Sequence, residues 1–384
     1  MKKRLRLWLC LILGIMILTA CQSNNEISAP AAATLSENNK ADLAETVPET
    51  IDTDLENTVE NEVEDELDES TVADEINTSE NDGIINPLTG EYVEAGTLGR
   101  PIAVMLDNQY SARPQAGLIE ADVAYEMLVE GLITRYMGIF YSSQPEHIGP
   151  VRSARPYYLQ KALEYNPYYV HVGGSMQALS DIKTYKMADI DGLSSGAFHR
   201  ESHKKIPHNM YTEASTLIKD ANRRQYYEKV DIDFLDFNDA FLIPKDGTDA
   251  NTIKFLYKAP TSSDKVGYFT TYVYDPETTL YMRHTNGKPH IDEDTGEQLY
   301  ATNILVQYAS QKVLDSEGRL QLGLVGEGKG MYYTGGKGIP VTWSKADSYA
   351  TTYFKDADNN AIKLNPGKTW FQIMPKGKTE TVSP

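Results

Sequence analysis

The sequence predicts a mixed α/β domain followed by a mostly β domain, both hung from a disordered acidic tether. Three observations carry that prediction. Residues 22–82 hold nineteen Asp or Glu against one lysine and no aromatic residue. Short apolar runs then alternate with helix-like segments up to about residue 235. From Phe255 onward, β-branched and aromatic runs recur with turn signals every ten residues or so. The expected organisation is a signal peptide over 1–20, a lipidated tether over 21–82, the α/β domain over 83–235 and the β-rich domain over 236–384.

At the N-terminus, Lys2, Lys3, Arg4 and Arg6 precede an apolar run from Leu7 to Leu18, and then Leu18-Thr19-Ala20-Cys21. The run is short for a membrane span, and small residues before a cysteine suit a lipoprotein signal peptidase. Cys21 is therefore the expected first mature residue and lipidation site, bearing a diacylglyceryl group and acyl chains such as palmitate. The only other cysteine, Cys10, leaves with the signal, so no disulfide is expected in the exported domain. A chain of this size can build its core without one. The expected location is the extracytoplasmic face of the cell membrane. The tether accounts for nearly all of the formal charge of −19. It lacks the apolar groups needed to offset ordering entropy, and as a flexible chain it spans roughly 45 Å. No basic face or basic run with interleaved aromatics is visible, which disfavours nucleic acid as a partner.

In the first domain, Pro87-Leu88-Thr89-Gly90 reads as an entrance turn, and Arg100 to Asn108, a short apolar run ended by polar residues, as a buried strand. Ala121 to Glu130 and Thr134 to Tyr141 predict two strands around Gly131. Tyr157 to Tyr165 predicts a helix with Pro156 in its first turn. Tyr168 to Val172 reads as a strand, Gly173-Gly174 as a turn, and Ser175 to Lys183 as a helix. Thr212 to Gln225 predicts a helix capped by Thr212. In the second domain the expected strands include Tyr268 to Tyr274, Thr279 to Arg283, Asn303 to Ala309, Gly330 to Thr334 and Thr369 to Met374. Gly326-Glu327-Gly328-Lys329-Gly330 lacks phosphate-loop spacing and is expected to be a hairpin turn. Trp343 and Trp370 are expected in the core.

Several motifs together match a known family: Met105-Leu106-Asp107-Asn108, Arg113-Pro114-Gln115-Ala116-Gly117, Val129-Glu130-Gly131, Thr134-Arg135, Gly149 to Arg155, His171-Val172-Gly173-Gly174-Ser175 and Pro207-His208-Asn209. They resemble the YerB-like lipoproteins of Firmicutes, and the resemblance continues into the second domain, with Asn365 to Trp370 as a C-terminal signature. It implies an extracytoplasmic, lipid-anchored, two-domain protein. The family has no known function, so the resemblance assigns no catalytic residue.

The chemistry has to be read from the side chains. Arg152 and Arg155 lie three apart at the end of an apolar run, and Arg113 and Arg135 add two more planar donor forks suited to phosphate or carboxylate. Asp107 and Glu130 are among the acids available to pair with them. The arginines are either internal clamps or an anion site, and the sequence leaves both open. Gly173, Gly174 and Ser175 can add backbone N–H groups where a helix begins. Asp107, Glu130 and His208 are the acid–base candidates, with Asn209 as a supporting loop residue. His199 and His203 would share a helix face, but Lys204, Lys205 and Pro207 argue against a helix and against a cationic ligand, so no metal and no cofactor are expected. Asp292-Glu293-Asp294-Thr295-Gly296-Glu297 has its glycine misplaced for a calcium loop. No nucleophile elbow is present, no cysteine remains, and no catalytic motif is recognisable, so the reading leans away from an enzyme. The leading expectation is a binding module for an anionic cell-envelope component. The alternatives are an envelope enzyme acting on phosphorylated or glycan substrates, with Asp107 or His208 handling protons, and a scaffold for a membrane or wall protein complex.

Overall fold

A computed structural model describes residues 83–94, 99–227, 230–233 and 235–384. Cys21, the signal peptide and the acidic tether fall outside the described residues.

The first half is built on strands β1 (Ile102–Asp107), β2 (Val123–Leu128) and β3 (Thr134–Phe140), in which every residue is buried. Burial on both faces explains why they read as unbroken apolar runs in place of an alternation. β2 and β3 are antiparallel, and the turn between them holds Gly131 at φ 75°, a left-handed conformation open to glycine at little cost. Helix α1 (Pro156–Ala162) starts with proline in its first turn and leads to β4 (Tyr168–His171), which pairs in parallel with β1. The Ser175 hydroxyl caps α2 (Met176–Thr184) by accepting from the Ala178 amide at 3.2 Å. α2 in turn delivers the chain to β5 (Ala188–Asp191), parallel to β4. A small hairpin, β6 (Phe198–Arg200) and β7 (Met210–Thr212), precedes α3 (Ala214–Arg223).

The expected Thr212 cap is corrected: Thr212 closes β7, and the residue flanking the helix is Glu213. The Thr212 backbone exchanges hydrogen bonds with Ile148 and its hydroxyl donates to the Ala197 carbonyl, so it is held as a strand residue.

In the second half, β8 (Thr252–Lys258), β9 (Tyr268–Asp275) and β10 (Leu280–Thr285) form the centre of an antiparallel six-stranded sheet. β11 (Asn303–Val313), β12 (Gly326–Thr334), β13 (Lys337–Lys345) and β14 (Thr369–Pro375) follow. The expected hairpin turn at Gly326–Gly330 is corrected, because these residues form the first part of β12. Their glycines serve close packing: a Cβ on Gly328 would sit 2.6 Å from the Trp343 indole nitrogen, and one on Gly330 would sit 2.3 Å from the Val306 carbonyl oxygen. Trp343 and Trp370 are both buried in the core, as expected.

The chain is strand-rich, and among the described residues its three α-helices all lie in the first half. The expectation of an α/β half followed by a β half is met in part. What the strand pattern does not reveal is that the halves share one sheet. β14 pairs in parallel with β11 on one side and with β2 on the other, with Thr369 opposite Val123 and Ile373 opposite Met127. This joins a twelve-stranded mixed sheet that crosses from one half to the other. Among the described residues no helix is long and apolar enough to cross a membrane.

Two buried polar networks also join the halves. Arg283 of β10 donates to Glu126 of β2 at 2.6 Å, with both side chains fully buried. Lys161 of α1 pairs with Glu164 at 3.2 Å, and Lys345 of β13 reaches the same Glu164 oxygen at 3.0 Å. Burial pushes the Lys161 ammonium down to about 8, against the attraction of Glu164.

Candidate functional site

The segment Ile148–Arg152 lies between β1 and β7. The Asp107 amide donates to the Pro150 carbonyl and the Arg152 amide to the Met105 carbonyl, each at 2.8 Å, while the Val151 amide donates to the Met210 carbonyl. Gly149 is needed here because a Cβ would meet the Tyr211 ring at 2.4 Å. This backbone ladder places the Arg152 side chain beside the end of β1, where Asp107 sits almost wholly buried.

The four candidate arginines separate into different roles. Arg155 is a clamp, with Nε on one Glu130 oxygen at 2.6 Å, one Nη on the other at 2.9 Å, and the remaining Nη on the Ala154 carbonyl. Burial opposes charge on Glu130, but the Arg155 fork overcomes it and holds the carboxyl below its ordinary value. Arg113 is a clamp between the halves. It reaches the Asn108 side chain and carbonyl, the Asn286 amide oxygen and the Tyr268 hydroxyl, and it lies 4.8 Å from the Tyr110 ring centroid. Arg135 is buried and donates to the Ser153 carbonyl at 2.6 Å. Its pKa is lowered by burial and by the neighbouring Arg155 and Arg152.

Arg152 differs. Its Nε lies 3.0 Å from Asp107 Oδ2, close enough to pair by charge but off the line a hydrogen bond requires. Its terminal nitrogens have no partner among the described residues. The same Asp107 oxygen faces His208 Nδ1 at 2.7 Å, and the other accepts from the Gln109 amide. If Nδ1 carries the proton toward Asp107, His208 Nε2 is left as a lone pair without a partner among the described residues. Asp107, Arg152 and His208 are therefore brought together. Glu130 is drawn away to Arg155.

His208 lines a cavity of about 570 Å³ with Ser111, Arg113, His203, Lys204, Lys205 and Glu293. Arg113, Lys204 and Lys205 are cationic, and with His203 and His208 they face a single carboxylate, which favours an anion. Lys204 is mostly committed already, donating to Glu293 at 2.6 Å, to the Tyr211 hydroxyl and to the Pro114 carbonyl. Lys205 is exposed, and its side chain has no partner among the described residues.

The remaining candidates support the surroundings. The Gly173 amide donates to Asp191 at 2.8 Å, and Gly174 packs against Ala154 and Leu179. The Ser175 hydroxyl caps α2. Asn209 accepts from Arg200 and donates to the Glu201 carbonyl, closing the β6–β7 loop. Buried His171, whose role was not foreseen, bridges the Gly173 carbonyl and Asp189. Burial works against its charge, yet Asp189 raises its pKa above the ordinary histidine value.

Three features were missed from the sequence. His147 stacks on Tyr211 at a centroid distance of 4.5 Å and lies near His199 and Glu201. Glu293 gathers Lys204, His203 and Tyr211. Arg283 fills the joint between the halves. The only hint for His147 is its place immediately before Ile148-Gly149; Glu293 takes its partners Lys204, His203 and Tyr211, and Arg283 its partners Glu126 and Tyr136, from more than eighty residues away.

These features define a two-part, strand-rich class of protein with a shared sheet and a cationic cleft. The chain matches the N-terminal domain described as "Protein of unknown function (DUF3048)" over residues 88–227 and the corresponding C-terminal domain over 259–371. It belongs to this family. It is similar to the Bacillus subtilis protein named "Putative lipoprotein YerB", with 32% identity over 300 residues, covering 77% of this chain and 88% of the relative. The crystal structure of the YerB protein from Bacillus subtilis matches with a TM-score of 0.71 and 31% identity, covering 78% of this chain and all of that one.

Proposed function

We propose that this protein is a lipoprotein anchored through Cys21 on the extracytoplasmic face of the membrane, and that its α/β and β-rich halves together bind an anionic cell-envelope component at the Asp107–Arg152–His208 site. The observation that carries the reading is Arg152. Asp107 neutralises part of its charge and fixes its Nε side, while its terminal donor fork stays unpaired among the described residues. A phosphate or carboxylate fits that fork. The lipoprotein name of the Bacillus relative supports the anchor.

The test is native mass spectrometry and titration of the full chain purified from its own host, alongside Arg152→Ala. A phosphate- or carboxylate-bearing ligand held by the parent and lost from the variant, with an unchanged circular dichroism spectrum, is the expected result. A ligand held equally by Arg152→Ala sinks the assignment.

A second reading, an envelope enzyme acting on phosphorylated or glycan substrates, is favoured by one observation. Asp107 holds His208 by Nδ1, the arrangement by which a carboxylate orients a general base. Turnover of a wall or lipid-linked substrate that disappears in His208→Gln would support it. A rate unchanged by that substitution removes His208 from any proton transfer.

A further inference from the structure

We infer that His147, His199 and Glu201 form a binding site for a divalent transition-metal ion of the zinc class, with solvent at the fourth position. One ligand atom from each residue lies within 4.8 Å of the others. Glu201 Oε1 is 2.9 Å from His199 Nε2 and 3.9 Å from His147 Nε2. Ligands on a tetrahedral ion with bonds near 2.0–2.1 Å stand about 3.3 Å apart, and the two spacings to Glu201 fall on either side of that value. Two imidazoles and a carboxylate are a donor set that suits zinc.

The protonation pattern supplies an independent argument. His147 Nδ1 lies 3.0 Å from both Asp294 carboxylate oxygens. A carboxylate only accepts, so Nδ1 is a protonated nitrogen, and in the neutral ring that a metal ligand must be, Nε2 presents a lone pair. That Nε2 is buried and has no hydrogen-bond partner among the described residues. Nε2 faces the Glu201 carboxylate at 3.9 Å, a spacing that calls for a positive centre between them and leaves room for a metal ion. Asp294 thus occupies the place of the outer carboxylate that fixes the tautomer of a metal-bound histidine.

The rings are also held in place. His147 stacks on Tyr211 at an interplanar angle of 19°, and His199 lies nearly parallel to His147 with centroids 6.3 Å apart. His203 Nδ1 is 3.9 Å from the second Glu201 oxygen, while its Nε2 sits 2.6 Å from Glu293. It is the side chain placed to approach an ion already bound. Asp294 comes from the second half of the chain, so the site also ties the halves together. The inference does not rest on anion binding at Arg152.

The test uses the full chain stripped with a chelator and titrated with zinc by calorimetry, then with cobalt by visible absorption. One equivalent should bind, and the cobalt form should show the strong visible bands of a four-coordinate nitrogen–oxygen site. The acidic tether, as a loose collection of carboxylates, would give only weak octahedral bands. His147→Gln and Glu201→Gln should each lower affinity at least tenfold, and Asp294→Asn should lower it 10–100-fold, with circular dichroism unchanged. Failure of the parent to bind stoichiometrically, or full binding by a His147→Gln/Glu201→Gln double variant, would overturn the site. The double variant also guards against a single variant that merely misfolds.

Discussion

The molecule contains two groupings of the same three chemical types, a carboxylate, an arginine and a histidine. Glu126, Arg283 and His290 are sealed between the halves. Asp107, Arg152 and His208 stand at the end of β1, partly open to solvent. In the sealed grouping every guanidinium nitrogen is answered: Nε by Tyr272, one Nη by Thr285 and His290, the other by Glu126, Tyr136 and Thr270. The Trp370 ring lies 4.3 Å from the guanidinium. His290 is held well below its ordinary pKa by burial and by Arg283, and remains a neutral partner that also bonds Gln115. In the open grouping one oxygen of Asp107 serves both Arg152 and His208, and the terminal nitrogens of Arg152 are left over among the described residues. Complete pairing marks a structural joint, and surplus donors mark a place where something else can bind.

The largest effect that can break this contrast lies at the sealed joint. Arg283→Met leaves Glu126 buried without its counterion and should cost about 3–5 kcal/mol of stability in urea unfolding. Removing both charges, as in Arg283→Met with Glu126→Gln, should cost less than the two single changes added together, because no buried charge is stranded. Additive losses would show that Glu126 and Arg283 do not act as a unit.

A smaller effect separates the neighbouring arginines. Arg155→Ala breaks a bidentate, mostly buried pair and should lower stability by about 2 kcal/mol with ligand binding retained. Arg152→Ala removes an off-line ion pair, and Asp107 keeps His208 and the Gln109 amide. Its cost should be about 1 kcal/mol or less, while binding is lost. The reverse ranking in thermal unfolding would mean that Arg152 is the clamp.

Much of this was legible in the chain. The buried strands, the proline-started α1, the helix opening near Ser175 and the core tryptophans follow from local rules of periodicity and helix starts. So does the pool of candidates: Asp107, Arg152 and His208 were all marked by motif. What could not be read was the division of labour among them, because it depends on partners far away in sequence. Arg113 is a clamp on account of Tyr268 and Asn286, and Glu126 is buried opposite an arginine 157 residues later. The parallel pairing of β14 with β2 is hidden for the same reason, since no turn or spacing records which strand a terminal segment will join. Gly326–Gly330 was misread because local rules treat glycine clusters as turns, whereas here Trp343 and the Val306 carbonyl fill the space that side chains would occupy.

The smallest predicted effect is a pH dependence at the Arg155–Glu130 clamp. Burial opposes the Glu130 charge, but Arg155 outweighs burial and the folded carboxyl titrates below the ordinary 4.5. Between the folded value and 4.5 the unfolded chain binds more protons than the native one, so stability there rises with pH. The contribution is fully present above 4.5 and is lost as pH falls through the folded value. Glu130→Gln cannot titrate and should lack this component. The stability difference between parent and Glu130→Gln, measured by urea unfolding from pH 7 downward, should therefore hold steady to about pH 5 and shrink below 4.5. A difference that stays constant into acid would mean that Arg155 holds Glu130 by shape and hydrogen bonding to a neutral carboxyl, and the clamp would then resemble the sealed joint less than its geometry suggests.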